Sequence, residues 1–553
     1  MQHQDNLNAY ILQSLRDNWE LLALTDYNGA SYQYKDIARK ITKLHILFKS
    51  AGVKPGEKIA LCGRNSAQWA MAFLGIITYG GIAVPVLNEF KPDNIHHLVN
   101  HSEARLLFAD APTWENLDAT VMPNLEGVLQ ISDFSLMMSR SESLTEARAN
   151  LNKIFGEAYP ERFTVDDLEV SMNKPDDIAL INYTSGSTGF SKGVMITFGN
   201  LWSNIEYTID HLNYLEPGDG IVCMLPLAHM YGLVVDMLHT LVKGCHITFL
   251  TRTPSPRIIM EAFAKVHPKL IVAVPLILEK IIKTKVLPLL EKPYMKILLH
   301  VPFVDDRMLG KIKDKLTDTF GGELKEIIIG GAALNKDVES FLRRIGFPFT
   351  VGYGMTECAP LISYAPHTQS RPGSCGKVVD RMEVRVDSPN PEEIPGVIWT
   401  RGANVMKGYF KNQEATDAIF DKDGWMCTGD IGCVDKDNFI YLRGRDKNMI
   451  LGANGQNIYP EEIEQKLNNL PYVGESVIID DGNGKLIALV YPDMDNVIHR
   501  NISTEEIEKI MAENLEQLNK DLPGYSQVNR VEIMSEEFEK TPKRSIKRYL
   551  YQR

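Results

Sequence analysis

Residues Glu57 to Asp110 read EKIALCGRNSAQWAMAFLGIITYGGIAVPVLNEFKPDNIHHLVNHSEARLLFAD, and their rhythm decides the fold. Three short apolar runs (EKIALCG, GIAVPV, ARLLFAD) alternate with two longer segments of helical character. The runs are apolar on both sides, as expected for strands whose two faces are both covered. From Asn65 to Asn88 the chain is uncharged, and a membrane span needs about 20 consecutive predominantly apolar residues. Gly80-Gly81 and Pro85 interrupt this stretch. It reads instead as a buried helix (Ser66 to Tyr79) followed by a strand (Ile82 to Val86).

Outward from this stretch the alternation continues to about residue 360. DIALINY, CHITFL, KLIVAVP and KEIIIGG read as further strands, and GNLWSNIEYTIDHL, SPRIIMEAFAKVH and NKDVESFLRRIG as helices between them. Such alternation implies βαβ units and largely parallel sheets with helices on their faces. Near Arg371 the pattern changes to short strands and dense turns (RPGSCG, SPNPEEIPG, DKDGWMCTGD). A last stretch carries helix PEEIEQKLNN, strands ESVIIDD and KLIALVYP, helix STEEIEKIMAENLEQLNKDL and strand QVNRVEIM. The expected fold class is therefore α/β. A large N-terminal domain (1–446) contains doubly covered, mostly parallel sheets and a small β-rich subdomain at about 371–443, and a small α+β domain (447–553) follows.

The composition sets outer bounds. At 553 residues the chain can bury a large core without disulfide or metal staples. Lys+Arg 59 against Asp+Glu 71 gives a net charge of −12, which disfavours nucleic acid as a partner. Seven cysteines, with no C-x-x-C pair among them, point to a reducing cytosol rather than a zinc site or a secreted framework. The first residues lack the basic and apolar regions of a signal peptide.

The chemistry is concentrated in Tyr183-Thr-Ser-Gly-Ser-Thr-Gly-Phe-Ser-Lys-Gly-Val194, set between two apolar strands. Gly186, Gly189 and Gly193 let backbone N–H groups turn inward. Thr184, Ser185, Ser187 and Thr188 add hydroxyl donors, and Lys192 a positive charge. The result is a nest suited to a polyphosphate. It is not a Walker A loop, since no Gly-Lys pair is followed by Ser or Thr. A second cluster, Val351-Gly-Tyr-Gly-Met-Thr-Glu-Cys358, lacks the third glycine of a dinucleotide fingerprint. There Tyr353 offers a flat face for a base, Thr356 a hydroxyl for a phosphate, and Glu357 a carboxylate for Mg²⁺. On its residues alone this cluster reads equally well as a plain β-turn.

Taken together, these motifs resemble the acyl-adenylate-forming superfamily of acyl-CoA synthetases, peptide adenylation domains and firefly luciferase. YTSGSTGFSKGV is similar to its phosphate loop, with Ser191 where proline is usual. LPLAHMYG (Leu225 to Gly232) is similar to its aromatic gate, Gly330-Gly-Ala-Ala-Leu334 to the adenine turn, and Cys427-Thr-Gly-Asp430 to the ribose motif. Leu442 to Ile450 resembles the hinge, followed by GANGQNIYPEEIE. The resemblance implies ATP, Mg²⁺ and CoA as cofactors. It assigns Thr184, Ser187, Thr188 and Lys192 to the β- and γ-phosphates, Gly331, Ala332, Tyr353 and Gly354 to the adenine side, and Thr356 to the α-phosphate. Glu357 would help bind Mg²⁺, and Asp430, with Arg445 beside it, would take the ribose hydroxyls. Lys447 would be the pivot of a mobile C-terminal domain, Gly455 the close approach for a pantetheine arm, and His229 part of a gate beside the acyl channel.

One position departs from the family. The terminal lysine that reaches the α-phosphate is replaced by Ser545 in Thr541-Pro-Lys-Arg-Ser-Ile-Lys-Arg548, with Lys543 and Lys547 two residues to either side as stand-ins. The implied reaction joins a carboxylic acid to AMP and then to a thiol. LPLAH and the TPxxxxKR-like tail lean toward a medium- or long-chain fatty acid and a fatty-acid–CoA ligase. No acidic residue stands near LPLAHMYG until Asp236, against an amino-acid substrate. The alternatives are an acyl-carrier-protein-loading ligase and a degenerate homologue that binds nucleotide without turnover. From Lys540 to Arg553 the tail carries six basic residues and no acidic one, a candidate for transient contact with the inner membrane face by a cytoplasmic enzyme.

Overall fold

In a computed structural model of the chain, the described residues are 3–184, 192–251, 255–285, 304–451, 456–482, 485–541 and 545–552. They fall into two compact units: 3–184, 192–383 and 401–418 form the first, and 384–400 and 419–552 the second.

The first unit holds two large sheets. One has eight strands, in the order Gly408–Tyr409, Lys192–Thr197, Ile178–Thr184, Ile82–Val86, Lys58–Cys62, Leu106–Ala109, Gly127–Gln130 and Leu136–Ser139. The five strands from Ile178–Thr184 to Gly127–Gln130 run parallel, as the apolar runs predict. The other sheet has seven strands, ordered Phe349–Val351, Glu326–Ile329, Leu270–Ala273, Gly220–Cys223, His246–Phe249, Leu22–Asp26 and Ser31–Gln33. It is parallel apart from the hairpin that ends it. Leu22–Asp26 pairs with His246–Phe249, so the start of the chain completes a sheet built from its middle.

The uncharged stretch that raised the membrane question forms the helix Ala67–Tyr79. The Ser66 side chain caps its start by accepting from Trp69 N, and Gly80, in the left-handed region at φ 88°, ends it. Only glycine takes that conformation without strain. This helix lies against Tyr34–Ser50, where a Cβ at Gly75 would stand 2.6 Å from Leu44 Cδ1. No helix among the described residues is long and apolar enough to cross a membrane. Each large sheet has its own core, the first around Val84, Leu107 and Ile181, the second around Ile271, Ile327 and Phe349.

The second unit contains most of a four-stranded sheet (Met382–Asp387, Gly396–Gly402, Met426–Val434, Ile440–Arg445). It also contains a three-stranded sheet of Val473–Asp480, Leu486–Pro492 and Val528–Ile533, packed with helices Pro460–Leu467 and Thr504–Lys520 around Ile478, Ala488 and Met511.

Candidate active site

In the first unit the strands Ile178–Thr184 and Lys192–Thr197 are antiparallel, with Thr184 opposite Lys192 and Tyr183 opposite Gly193. The two ends of the Gly- and hydroxyl-rich segment therefore converge, and Thr184 and Lys192 become cross-strand neighbours. Ser185, Gly186, Ser187, Thr188 and Gly189 lie outside the described residues, as do Lys543 and Gly455. Close packing demands glycine at 193, since a Cβ there would meet Ile181 Cγ2 at 2.9 Å and the Tyr183 ring at 3.1 Å. Tyr183 itself is buried, its hydroxyl 2.8 Å from His101 Nδ1 in a hydrogen bond.

Lys192 leads to a residue that the sequence reading passed over. Its Nζ lies 4.7 Å from the centroid of the Tyr409 ring. Tyr409 Oη in turn donates to Glu357 Oε1 at 2.9 Å. The short strand Gly408–Tyr409 pairs with the strand that begins at Lys192, placing Tyr409 opposite Val194. Glu357 is buried on the turn Thr356–Cys358, and its backbone carbonyl accepts from Met406 N at 2.8 Å. Burial and the neighbouring Glu357 carboxylate push the Tyr409 hydroxyl far above its ordinary range, so it stays a donor. Among the described residues, the second oxygen of Glu357 has no hydrogen-bond partner. A buried carboxylate with one oxygen held and one open fits Mg²⁺, which takes one or two carboxylates and completes its shell with phosphate and water.

The adenine-side motifs lie at the carboxyl ends of the neighbouring parallel strands Glu326–Ile329 and Phe349–Val351. Gly352 N donates to Ile329 O at 2.9 Å, which ties the two turns together. Gly331 has φ 83°, and both it and Ala332 are exposed, whereas Tyr353 is buried. Gly354 crosses the strand Leu361–Tyr364 so closely that a Cβ would stand 2.2 Å from Pro360 O. The Leu225–Gly232 motif reaches the same place: Tyr231 Oη donates to Ile328 O at 2.9 Å, and a Cβ on Gly330 would be 3.0 Å from the Tyr231 ring.

That motif is held by two asparagines. Asn65 donates to Leu225 O at 2.6 Å and accepts from Leu227 N at 2.9 Å, while Asn182 donates to Ala228 O at 2.9 Å. His229, half-buried, follows directly and opens the turn into a π-helix, Gly232–Leu238. π-Helical turns are frequent at functional sites. Asp236, on this π-helix, has no solvent exposure. Its carboxyl faces the Cys223 thiol and the Met224 and Leu225 amides but completes no well-formed hydrogen bond with them. Burial pushes it up to about 7.

Two cavities flank these groups. One is a narrow crevice, too tight to admit water, lined only by apolar side chains, among them Met224, Phe263, Ile271, Ala273 and Leu278. A larger cavity of about 720 Å³ lies at the carboxyl ends of the parallel strands, with Asp26, Arg64, Asn88, Phe90, Asp110 and Thr113 in its wall.

In the second unit Asp430 and Arg445 face each other across paired strands, with Arg445 Nε 2.7 Å from Asp430 Oδ1. Asp430 is buried and Arg445 largely exposed; Thr428 Oγ1 accepts from Asp430 N and donates to Ile398 O, fixing the turn. Lys447 is exposed in the turn Asp446–Asn448. The basic tail is folded back on its own unit: Lys540 bonds Glu475 and Glu537, Lys547 Nζ lies 2.8 Å from Glu539 Oε2, and Arg548 pairs with buried Glu464. Lys540 and Ile546 form an isolated antiparallel bridge, and Ser545 O accepts from Thr541 N at 2.8 Å.

A strand pair that brings Thr184 and Lys192 together, a buried carboxylate suited to Mg²⁺ and glycine turns at the carboxyl ends of parallel strands are features of an adenylate-forming enzyme. The model of the family described as AMP-binding enzyme matches residues 13–410, and that of the AMP-binding enzyme C-terminal domain matches residues 447–553. The chain belongs to the AMP-binding enzyme family. It is 26% identical to a long-chain-fatty-acid–CoA ligase of Mycobacterium bovis, over 88% of this chain and 82% of that one. It is 27% identical to a 4-coumarate:CoA ligase of Petunia hybrida, over 82% and 78%. Among solved structures, ATP-bound MatB from Rhodopseudomonas palustris superposes with a TM-score of 0.77 at 23% identity, covering 99% of this chain and 98% of that one.

Proposed function

We propose that the protein is an AMP-forming acid–thiol ligase that activates a medium- or long-chain fatty acid and transfers it to CoA. The observation that carries this reading is the linked set Thr184, Lys192, Tyr409 and Glu357, which offers a polyphosphate a cation and a hydroxyl, and Mg²⁺ a carboxylate, in one unit. In the first half-reaction a bond forms between the acid's carboxylate oxygen and the α-phosphorus of ATP while the bond to pyrophosphate breaks. Thr184 and Lys192 hold the β- and γ-phosphates, and Lys192 offsets the charge growing on the leaving group. Thr356 orients the α-phosphate, and Glu357 would hold Mg²⁺, which would supply charge neutralisation on the phosphates. Tyr353, Gly354, Gly331 and Ala332 frame the base, and Asp430, oriented by Arg445, accepts from the ribose hydroxyls. In the second half a thiolate attacks the acyl carbon and AMP leaves, with Lys447 and Gly455 as the residues on which that change of task turns.

The fatty-acid reading is supported by the wholly apolar side chains packed around Ala273 and by the isolation of Asp236, which is too deeply buried to meet a substrate amine. The larger cavity lies along the same sheet edge as Thr184 and is roomy enough for the nucleotide end of CoA. Carboxylate-dependent ATP–pyrophosphate exchange tests the whole scheme, run with fatty acids of 8 to 18 carbons beside 4-coumarate and malonate, followed by CoA or a holo-carrier protein as acceptor. Exchange that is strongest with the fatty acids and discharge to CoA are expected. A preference for 4-coumarate or malonate would overturn the acyl assignment, and no exchange with any acid the adenylation itself. Discharge only to the carrier would overturn the CoA assignment.

A further inference from the structure

Lys192 and Glu357 carry opposite charges, both reach the same aromatic side chain, and they form no ion pair among the described residues. Two such groups in a partly buried site would ordinarily collapse onto each other, because attraction strengthens as water is excluded. Collapse would leave the ammonium unable to serve a phosphate and the carboxylate unable to serve a cation. What stands in the way is Tyr409. Its ring face takes the ammonium at 4.7 Å, a favourable cation–π arrangement, and its hydroxyl takes Glu357 Oε1 at 2.9 Å. The two charges are thus engaged at different parts of one rigid side chain.

The mounting of Tyr409 is as firm as the task requires. Its backbone pairs with the strand that carries Lys192, and its amide donates to Thr416 Oγ1 at 2.9 Å. The preceding Gly408 has φ 138°, and a Cβ there would meet Thr416 Cγ2 at 2.9 Å, so the residue is locked from the rear. Phe410 N, just beyond, donates to Gly193 O at 2.7 Å.

We propose that Tyr409 is a positioning residue that acts as a spacer, holding Lys192 and Glu357 apart so that one remains available to the polyphosphate and the other to Mg²⁺. This rests on the adenylation reading above and deepens it: the spacer keeps two mutually attractive groups in reserve for two different parts of MgATP.

The test is equilibrium binding of ATP, measured calorimetrically in EDTA and again in Mg²⁺, for wild type, Tyr409→Phe, Tyr409→Ala and the double variant Tyr409→Ala, Glu357→Gln. Tyr409→Phe keeps the ring and loses only the hydroxyl. Its affinity in EDTA should stay within about twofold of wild type, while the gain conferred by Mg²⁺ shrinks about tenfold or more, the range for one hydrogen bond to a charged group. Tyr409→Ala lets the charges pair and should weaken ATP in EDTA about tenfold or more. Adding Glu357→Gln to that background removes the competing carboxylate and should restore affinity in EDTA to within about threefold of wild type. A merely structural defect would not be repaired by a second substitution at 357. The spacer is overturned if Tyr409→Ala binds ATP in EDTA like wild type, or if Glu357→Gln restores nothing. Wild type that binds no ATP would sink the adenylation reading instead, so the two failures are told apart.

Discussion

Replacing Asp236 by asparagine should make the enzyme more stable, and the gain should depend on pH in a way fixed by burial. The carboxyl is fully enclosed, and its folded pKa is about 7 against an ordinary value of 3.8. The native state therefore keeps its proton over a range in which the unfolded chain has already released it. The favourable term is fully present below about pH 4, declines as pH rises, and is lost above about pH 7. At 1.36 kcal/mol per unit the whole span is about 4 kcal/mol, and between pH 5 and 8 it is about 3 kcal/mol. Asparagine has the same shape and does not titrate, so the gap between variant and wild type should widen by that amount. For a unit of roughly 400 residues this is about 3 to 4 °C in the first unit's melting temperature. Scanning calorimetry at pH 5, 6, 7 and 8 reads it directly, and Glu464, which also titrates high, is common to both proteins and cancels. A gap that is flat with pH, or that narrows as pH rises, would refute the argument.

Other outcomes follow from the geometry. Gly354→Ala places a methyl 2.2 Å from Pro360 O, so the turn carrying Tyr353 and Thr356 must shift. A loss of about 1 to 3 kcal/mol in stability and at least a tenfold rise in KM for ATP are expected from unfolding and exchange assays. Lys192→Met should slow carboxylate-dependent exchange by about 10²-fold or more without lowering the melting temperature by over a few degrees. Lys447→Pro should spare acyl-adenylate formation and impair thioester formation in single-turnover assays, and equal loss of both would remove the pivot role. Lys543→Ala should slow adenylation more than Lys547→Ala, since Lys547 is occupied by Glu539; full rate in both would show that neither replaces the lysine expected at 545.

The elements that local chemistry dictates were legible in the sequence. Runs such as KIALC and LLFA became the parallel strands Lys58–Cys62 and Leu106–Ala109, because a doubly covered strand must be apolar on both sides. The helix Ala67–Tyr79 was readable from its Ser66 and Gly80 boundaries. What escaped depends on contacts between distant residues. Nothing in Leu22–Asp26 announces a partner more than two hundred positions away. Tyr409 stands in a short turn-rich segment with no periodicity, and its importance comes only from the two charges it meets. Asn65 and Asn182 look like ordinary polar residues until their amides are found on the Leu225–Ala228 backbone. The basic tail reads as a free cationic arm, yet its described cations Lys540, Lys547 and Arg548 are each spent on an acidic residue of the same unit.

The pairing of Leu22–Asp26 with His246–Phe249 also bears on how the chain is born. At about 5 to 20 residues per second, the ribosome releases the first of these strands some 10 to 45 s before the second. Throughout that interval the hairpin Leu22–Gln33 offers an unsatisfied edge to any passing chain. Nascent-chain holdases that engage the first fifty residues would bridge this gap, and slowed translation upstream of residue 246 would lengthen it. Of the two paired strands, the one that emerges first thus waits for the one that emerges second.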